Sequence, residues 1–233
     1  MPHVSVIRVG HKGADHVAPG NTAASFEAAL EHGVDMIEFD VLRARDGRLV
    51  LAHDYADSER RECLTLEAGL ELFAGEAYAG VELDVDLKLP GYEREVVDGL
   101  SRHGLTERSL VSTMYPESLD RLGELEGSLR RGWSVPRVQR NYLKAPFYVR
   151  LPALALAAWL RFRMPSQAAA RIRAGGCEAL MAHHILVTGR LVRAVRDAGG
   201  QLYVWTVDEA TKIRALEALG VDGVITNDPR LFD

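Results

Sequence analysis

Two short patterns of acidic residues in the first half of the chain could do chemistry. Glu38 and Asp40 lie two residues apart, and the alternation of a strand would place both carboxylates on one face and their apolar neighbours on the other. The run 81–89 repeats the pattern, and one face of it carries Glu82, Asp84, Asp86 and Lys88. Because buried carboxylates need a compensating positive charge, these faces predict a cluster that is neutralised by lysine or by a metal ion.

The donor set of this cluster indicates the kind of ion. Oxygen ligands suit Mg²⁺ or Ca²⁺ better than zinc, so a metal ion held by Glu38, Asp40 and one residue of the pair Asp84 and Asp86 would be one of these two. The alternative is that each strand exposes a polar face on an antiparallel sheet. Two such strands in a chain that alternates strands and helices disfavour this alternative, because both faces of a barrel strand are covered.

Two histidines are the candidate acid and base. His11 follows the first predicted strand, and His53 follows the run 49–52, so that both lie at strand ends that face the same rim. Imidazole titrates near pH 6.5, and a pair beside carboxylates can take and give a proton during a displacement at phosphorus. Surface or packing roles are expected for His3, His16, His32, His103, His183 and His184.

The elements that must position these residues alternate along the chain as short apolar strands and amphipathic helices. About eight strand–helix units predict a single-domain (β/α)8 barrel over 1–233. A doubly wound sheet is disfavoured, because Gly-His-Lys-Gly at 10–13 is not the glycine-rich phosphate loop it requires. Strands are predicted at 4–9, 36–41, 49–52, 80–89, 109–113, 129–135, 179–182, 201–207 and 223–226. Helices are predicted at 22–32, 65–73, 92–103, 116–125, 189–198 and 208–219.

The composition excludes several functional classes. With 28 Lys and Arg against 33 Asp and Glu, the formal charge of −5 gives no overall attraction to nucleic acid or to anionic lipid. Cys63 and Cys177 match neither a disulfide framework nor a zinc motif, and the first residues lack the pattern of a secretory signal. We therefore expect a cytoplasmic protein with no nucleic-acid partner, and the sequence leaves the oligomeric state open.

Residues 141–164 form an apolar-basic insert that departs from the barrel pattern. The segment is apolar on most faces, with lysine and arginine spaced through it. One interpretation is a buried helix with its lead-in, packed over the barrel, and the imperfect separation of the charges favours it. The alternative is an interfacial patch, in which Tyr148, Trp159 and Phe162 enter lipid and the cations meet phosphate. This alternative predicts a peripheral membrane contact.

Short motifs run in a fixed order along the chain. The first half contains His-Lys-Gly at 11–13, Pro-Gly-Asn-Thr at 19–22, Asp-Met-Ile-Glu-Phe-Asp-Val at 35–41, Asp-Gly at 46–47 and His-Asp at 53–54. The second half contains Val-Trp-Thr-Val-Asp at 204–208 and Gly-Val-Asp-Gly-Val-Ile-Thr-Asn-Asp-Pro at 220–229. The series resembles the glycerophosphodiester phosphodiesterase family over nearly the whole chain. Taken together the motifs are a specific signal, whereas any one of them would be weak.

The resemblance implies a (β/α)8 barrel that hydrolyses glycerophosphodiesters to an alcohol and sn-glycerol 3-phosphate. It implies one divalent cation, Mg²⁺ or Ca²⁺, with Mn²⁺ as a further candidate. Carried over by position, Glu38 and Asp40 would be two ligands of the cation. The family's third ligand lies in an E-x-K motif, and the matching residues here begin with Asp86.

The resemblance also implies roles for the other site residues. His11 and His53 would be the acid–base pair, one deprotonating the attacking hydroxyl and the other protonating the leaving alcohol. The attacking hydroxyl would come from water or from the glycerol 2-hydroxyl, and the sequence does not assign the two histidines. Lys12 and Lys88 would bind phosphate oxygens, and Trp205 would wall the glycerol side of the pocket.

Three residues depart from the family pattern. Lys12 replaces an arginine and offers a point charge in place of a bidentate fork, Gly20 replaces a glutamate, and Asp86 replaces a longer acid. A short acid at this position resembles the related sphingomyelinase D barrels. Two alternatives therefore stand beside the main prediction. One is a lysophospholipase D or sphingomyelinase D-like activity on lipids, and the other is a non-catalytic barrel that binds a phosphodiester or a membrane.

Overall fold

Eight parallel strands close into a barrel in the computed structural model of the protein, which describes residues 6–137 and 147–232. The strands are β1 (Ile7–Gly10), β2 (Met36–Arg43), β3 (Leu49–Leu51), β4 (Glu82–Leu87), β5 (Ser109–Thr113), β6 (Arg130–Val135), β7 (Ala179–His183), β8 (Gln201–Trp205) and β9 (Gly223–Thr226). The ring closes where β1 pairs in parallel with both β2 and β9. β3 lies outside the ring, antiparallel to β2. The fold is the (β/α)8 barrel that the sequence predicts.

Helices cover the outside of the barrel. They are α1 (Ala23–Glu31), α2 (Tyr55–Arg60), α3 (Leu66–Phe73), α4 (Glu93–Arg102), α5 (Pro116–Leu125), α6 (Phe147–Arg173), α7 (Gly189–Asp197) and α8 (Ala210–Leu219). Short 3-10 helices lie at Glu76–Tyr78, Thr106–Arg108, His184–Leu186 and Pro229–Phe232. The start of α1 shows how local sequence sets these bounds. The Thr22 side chain accepts a hydrogen bond from the Ser25 backbone N–H, and the Ser25 hydroxyl accepts one from the Thr22 N–H.

The core confirms the predicted alternation of side chains on β2. Ile37 and Phe39 are fully buried in the layer between barrel and helices, where Phe73 of α3 lies 4.9 Å from Phe39 and 4.8 Å from Phe26, measured between ring centroids. A separate apolar cluster fills part of the barrel interior and contains Val9, Met36, Leu110, Ala179, Met181, Tyr203 and Ile225. Because the apolar side of β2 faces the helices, Glu38 and Asp40 face the interior.

Two features near β3 differ from the sequence expectation. The run 49–52 forms a strand, but it pairs antiparallel with the end of β2 and is not a member of the ring. α2 has no predicted counterpart, because none of its six residues is buried and its sequence therefore has no apolar periodicity. Asp54 caps α2 by accepting a hydrogen bond from the backbone N–H of Asp57.

α6 continues well beyond the apolar-basic segment 141–164, of which residues 141–146 lie outside the described residues. It runs through Pro165 to Arg173, a stretch for which the sequence predicted no helix. The face that packs on the barrel carries Met164, Ala168 and Ile172. All three are buried in the outer core, the apolar cluster between the later barrel strands and the helices that cover them. This packing offsets the backbone hydrogen bond that Pro165 cannot donate. Among the described residues, no helix is long and apolar enough to cross a membrane.

Candidate active site

Acidic side chains of β2 and β4 meet inside the barrel. The parallel register pairs Glu38 with Asp84 and Asp40 with Asp86. Glu38, Asp40 and Asp86 each offer a carboxylate oxygen within 4.8 Å of the others. Neighbouring strands lie about 4.8 Å apart, so register alone brings the three predicted ligands to one place.

Lys88 supplies positive charge to this cluster. It follows the last residue of β4, and its ammonium contacts Asp40 and lies 2.5 Å from Asp86 Oδ2. Burial alone would lower the pKa of Lys88, but the charges of Asp40 and Asp86 outweigh it and raise this pKa well above its usual value. The ammonium is therefore charged at neutral pH.

The carboxyl groups remain short of positive charge despite Lys88. Burial, followed by the charge of Asp40, raises the pKa of Glu38 well above its usual value, and burial raises the pKa of Asp84 to about 8. Burial would also raise the pKa of Asp40, but the Lys88 ammonium outweighs it and holds this pKa below its usual range. A buried, oxygen-only donor set with unneutralised charge fits a hard divalent cation held by Glu38, Asp40 and Asp86.

Two residues in left-handed backbone conformations hold the carboxylates in place. Lys12 has φ of 51°, and its backbone N–H donates to Glu38 Oε2 at 2.7 Å. Asn21 has φ of 59°, and its side chain donates to Asp40 Oδ2 at 2.8 Å and accepts from the Asp40 N–H at 3.0 Å. Such conformations are uncommon outside glycine and cluster at functional sites. They fix the orientation of both predicted ligands.

His11 is oriented by a chain of hydrogen bonds. The Asn227 amide nitrogen donates to Asp208 Oδ2 at 2.8 Å, which turns the amide oxygen toward His11 Nδ1, 2.5 Å away. Nδ1 therefore carries the proton, and Nε2, which lies 3.9 Å from Glu38 Oε2, is left as an acceptor. Burial lowers the pKa of His11, so the ring is neutral at neutral pH.

His53 reaches the site by a different route from the one its sequence position indicates. β2 continues two residues beyond its pairing with β4, β3 folds back along it, and His53 follows the end of β3. Its side chain is 55% exposed, and Nδ1 lies 3.1 Å from Asp54 Oδ2. The two histidines thus have different surroundings, His11 buried and His53 open to solvent.

Lys12 points away from the acidic cluster. Its ammonium lies 2.6 Å from Asp15 Oδ2, and the other oxygen of Asp15 accepts a hydrogen bond from the Gly20 N–H at 2.8 Å. A Cβ atom at Gly20 would lie 2.5 Å from Asp15 Oδ1, so the Asp15 carboxylate can take this position only because residue 20 has no side chain. Asp15 thus places a carboxylate beside both Lys12 and Gly20.

Two cavities flank the site, and His53 and Asp54 line both. The larger, which we call the apolar chamber, has a volume of about 700 Å³ and extends from the acidic cluster to α6. The smaller, the polar recess, has a volume of about 430 Å³. Predicted site residues that line the apolar chamber are His11, Glu38, Asp86, Lys88 and Trp205. The polar recess is lined by Lys12, Asp15, Gly20, Asn21, Asp57 and Arg61, among others.

Trp205 forms a wall of the apolar chamber together with His183. Its indole N–H donates to the Met181 carbonyl at 2.8 Å, and the His183 ring packs edge-on against it at 5.0 Å. Burial, and then His184, lower the pKa of His183 to about 4, so its ring is neutral at neutral pH. The sequence analysis expected His183 at the surface or in packing. Its position at the carboxyl end of a barrel strand was a signal for the site.

Three further residues of the site escaped the sequence analysis, although all lie in the quoted motifs. The motifs were quoted without an individual role for Asn21, Asp208 or Asn227. Their hydrogen bonds orient Asp40 and His11 respectively. Hydrogen bonds of a single polar side chain leave no periodic trace in sequence, so only the structure reveals these roles.

Comparison with known proteins agrees with this geometry. The model of the glycerophosphoryl diester phosphodiesterase family matches residues 11–67 and 76–231. The chain belongs to the glycerophosphoryl diester phosphodiesterase family. It is accordingly an enzyme of the phosphoric diester hydrolase class.

Relatives of this phosphodiesterase match nearly all of its length. The chain is 26% identical to a glycerophosphodiester phosphodiesterase of Caldanaerobacter subterraneus subsp. tengcongensis, over 95% of this chain and 93% of the relative. A glycerophosphodiester phosphodiesterase structure from Parabacteroides distasonis has a TM-score of 0.74 at 18% identity, covering 97% and 94% of the two chains. An Oleispira antarctica phosphodiesterase in complex with the product sn-glycerol-3-phosphate has a TM-score of 0.69 at 21% identity, covering 97% and 94%. These two likenesses show the barrel fold.

Proposed function

We propose that the protein hydrolyses glycerophosphodiesters to an alcohol and sn-glycerol 3-phosphate, with a divalent cation and with His11 and His53 as base and acid. The observation that carries the proposal is that both histidines line one cavity together with Glu38 and Asp86. The product in the Oleispira antarctica phosphodiesterase supports the same product here. In the net reaction the oxygen of water bonds to phosphorus, and the bond between phosphorus and the alcohol oxygen breaks.

His11 is the base in this proposal. Asn227 holds the proton on Nδ1, so Nε2 carries the lone pair that takes the proton of the attacking hydroxyl. Burial, which lowers the pKa of His11, keeps this lone pair available at neutral pH. The imidazolium that forms is stabilised by Glu38, whose Oε2 lies 3.9 Å from Nε2.

His53 is the acid. Its exposed ring lines both cavities, and Nδ1 lies 3.1 Å from Asp54 Oδ2. From that position it gives a proton to the oxygen of the departing alcohol as the bond to phosphorus breaks. Solvent contact lets His53 be reprotonated after each turnover.

The remaining residues bind the substrate. Lys88 presents an ammonium in the apolar chamber, where it offsets the charge of a phosphate oxygen. Trp205 and His183 form the adjoining wall, against which the glycerol moiety packs. Lys12 binds a phosphate oxygen from the polar recess, where its ammonium pairs with Asp15. A cation held by Glu38, Asp40 and Asp86 would withdraw charge from a non-bridging phosphate oxygen when bound.

The test is the hydrolysis of glycerophosphocholine after removal of divalent ions with EDTA and addition of Mg²⁺, Ca²⁺ or Mn²⁺. We expect turnover that depends on the added ion. We also expect His11→Ala and His53→Ala each to lower kcat by about 10²–10⁴-fold. His16→Ala is the matched control, because His16 is exposed on the loop after β1. Unchanged turnover in both active-site variants would contradict the assignment of the two histidines.

We further propose that the protein contacts membranes peripherally through α6. Leu156, Trp159 and Phe162 on this helix are 51%, 52% and 65% exposed, while Leu160 packs on the outer core. Residues 156–164 therefore combine both interpretations, a packed inner face and an apolar outer one. The expectation of a cytoplasmic location rests on cysteine usage. Both Cys63 and Cys177 are free thiols, which agrees with a reducing compartment.

A further inference from the structure

Polar side chains line the apolar chamber beyond the acidic cluster, and one of them has a fixed hydrogen-bonding role. These polar residues are Ser112, Ser134, Arg137, His183 and Thr206. A serine or threonine hydroxyl rotates and can donate or accept, and Arg137 is charged and exposed. His183 differs from them, because the backbone and two aromatic neighbours set both its tautomer and its orientation.

The proton of the His183 ring lies on Nε2. The Ile185 backbone N–H donates to Nδ1 at 3.3 Å, so Nδ1 carries the lone pair. Protonation of Nδ1 would place two donors face to face, and burial also lowers the pKa of His183 to about 4. The ring is therefore neutral at neutral pH. Among residues 6–137 and 147–232, none accepts a hydrogen bond from Nε2, so this N–H is available to a ligand in the chamber.

Two aromatic rings hold the His183 ring in place. His183 pairs with Trp205 in the register of β7 and β8, and the two rings meet edge to face with centroids 5.0 Å apart. The His184 ring lies 4.3 Å from His183, and His184 Nδ1 donates to the Thr206 carbonyl at 3.0 Å. A donor that is already oriented loses little conformational entropy when it binds a ligand.

Trp205 has no free donor for a ligand. Its indole N–H donates to the Met181 carbonyl at 2.8 Å, so Trp205 contributes its apolar ring to the wall of the chamber. The glycerol moiety that the proposed function places against this wall carries two hydroxyl groups. A hydroxyl that leaves water without gaining a partner weakens binding, so a donor beside the indole favours glycerol. The uncharged Nε2–H of His183 suits a neutral hydroxyl better than a phosphate oxygen.

We infer that His183 selects for glycerol by donating a hydrogen bond from Nε2 to a hydroxyl oxygen of the glycerol moiety. The inference rests on the proposed function, since it uses the position given there to glycerol. His183 keeps its proton throughout turnover, and no bond to phosphorus forms or breaks at it. It is therefore a substrate-binding residue that determines specificity, separate from the acid–base pair.

A substrate without the glycerol hydroxyls tests this contact. Propylphosphocholine keeps the three carbons and the head group of glycerophosphocholine and lacks both hydroxyls. We expect His183→Leu to lower kcat/KM for glycerophosphocholine about tenfold and to leave kcat/KM for propylphosphocholine within about twofold of the wild type. His183→Gln, whose amide places an N–H near the position of Nε2, should keep kcat/KM for glycerophosphocholine within about threefold of the wild type.

His184→Leu is the matched control on the same turn. It removes the neighbouring imidazole, which is not among the described residues that line the chamber. The ratio of kcat/KM for the two substrates should stay within about twofold of the wild type. If His183→Leu lowers kcat/KM equally for both substrates, or if His184→Leu changes the ratio as much as His183→Leu does, the inference is wrong.

Binding measured without turnover separates this inference from the proposed function. Calorimetric titration in the presence of Mg²⁺ should show that the wild type binds sn-glycerol 3-phosphate about tenfold more tightly than propyl phosphate. His183→Leu should reduce this difference to about twofold or less, and His184→Leu should keep it. Hydrolysis of glycerophosphocholine with the difference intact in His183→Leu overturns the inference and leaves the proposed function standing. A difference that depends on His183, without hydrolysis of glycerophosphocholine, upholds the hydrogen bond and overturns the proposed function.

Discussion

At the scale of single residues, two side chains, those of Asn227 and Asp208, set the orientation of the His11 ring. Asn227 accepts from His11 Nδ1, and Asp208 holds Asn227 through both its side-chain nitrogen and its backbone N–H. The same aspartate accepts from the Thr226 hydroxyl. Because three donors fix Asp208, the tautomer of His11 is set by the end of β9 and the residues that follow β8.

Asn227→Leu should therefore lower kcat more than it changes KM. The leucine cannot accept the Nδ1 proton, so His11 loses both its orientation and its tautomer, and a loss of up to about 100-fold in kcat is expected. Steady-state kinetics on glycerophosphocholine measure the effect. His32→Leu, on the segment after α1, serves as a control for a general effect of replacing a polar side chain. A rise in KM with kcat unchanged would show that Asn227 contributes to binding and does not position His11.

At the scale of elements, periodicity predicted the strands of the barrel and most of its helices. β5, β9 and α5 have the predicted bounds, because strong apolar patterns end at polar or turn residues there. The polar α2 and the return of β3 outside the ring were beyond such reasoning. Antiparallel pairing with β2 is a tertiary arrangement, and a strand of three residues carries no information about its partner.

The outer face of α6 carries exposed aromatic side chains with arginines beside them. Trp159 and Phe162 are exposed, and arginines stack on both, Arg163 at 5.6 Å from the Trp159 ring and Arg190 at 5.3 Å from Phe162. Aromatic rings with adjacent cations suit the boundary between acyl chains and anionic head groups. Leu156, which lines the apolar chamber, lies on the same helix.

Replacing both aromatic residues, Trp159→Ser with Phe162→Ser, should weaken binding to phosphatidylglycerol vesicles about tenfold or more, because two large apolar side chains no longer enter the bilayer. Co-sedimentation over a series of lipid concentrations gives the partition coefficients. Leu219→Ser, at a comparably exposed leucine on α8, should leave them unchanged. Hydrolysis of glycerophosphocholine should be the same in all three proteins. Equal partitioning of the wild type and the double variant would contradict a membrane role for α6.

At the scale of the whole molecule, closure of the barrel turns two strand patterns into one site. The sequence predicted that Glu38, Asp40 and Asp86 face inward, and the resemblance implied that they act together. Their mutual distances follow from the register of β2 against β4. Sequence alone did not reveal the apolar chamber, because its walls come from loops and from α6, far apart along the chain.

The acidic cluster couples cation binding to the stability of the whole barrel. Glu38 and Asp84 have raised pKa values because burial and neighbouring carboxylates disfavour their charged forms. A cation that binds only the folded chain stabilises it by about 2.7 kcal/mol at one hundred times its dissociation constant. For a domain of this size, that gain corresponds to a rise in Tm of roughly 5–10 °C.

Calorimetric melting with saturating Ca²⁺ or Mg²⁺, compared with EDTA, should show this rise in the wild type. Asp86→Asn should remove most of it, because the variant lacks one of the three charged oxygen donors. Glu82→Gln should keep it, since Glu82 lies at the opposite end of β4 and pairs with Arg130. If Asp86→Asn and Glu82→Gln respond alike to the ion, the cation binds elsewhere on the protein. A rise confined to proteins with the intact cluster ties cation binding to Asp86, whether or not a substrate has been found.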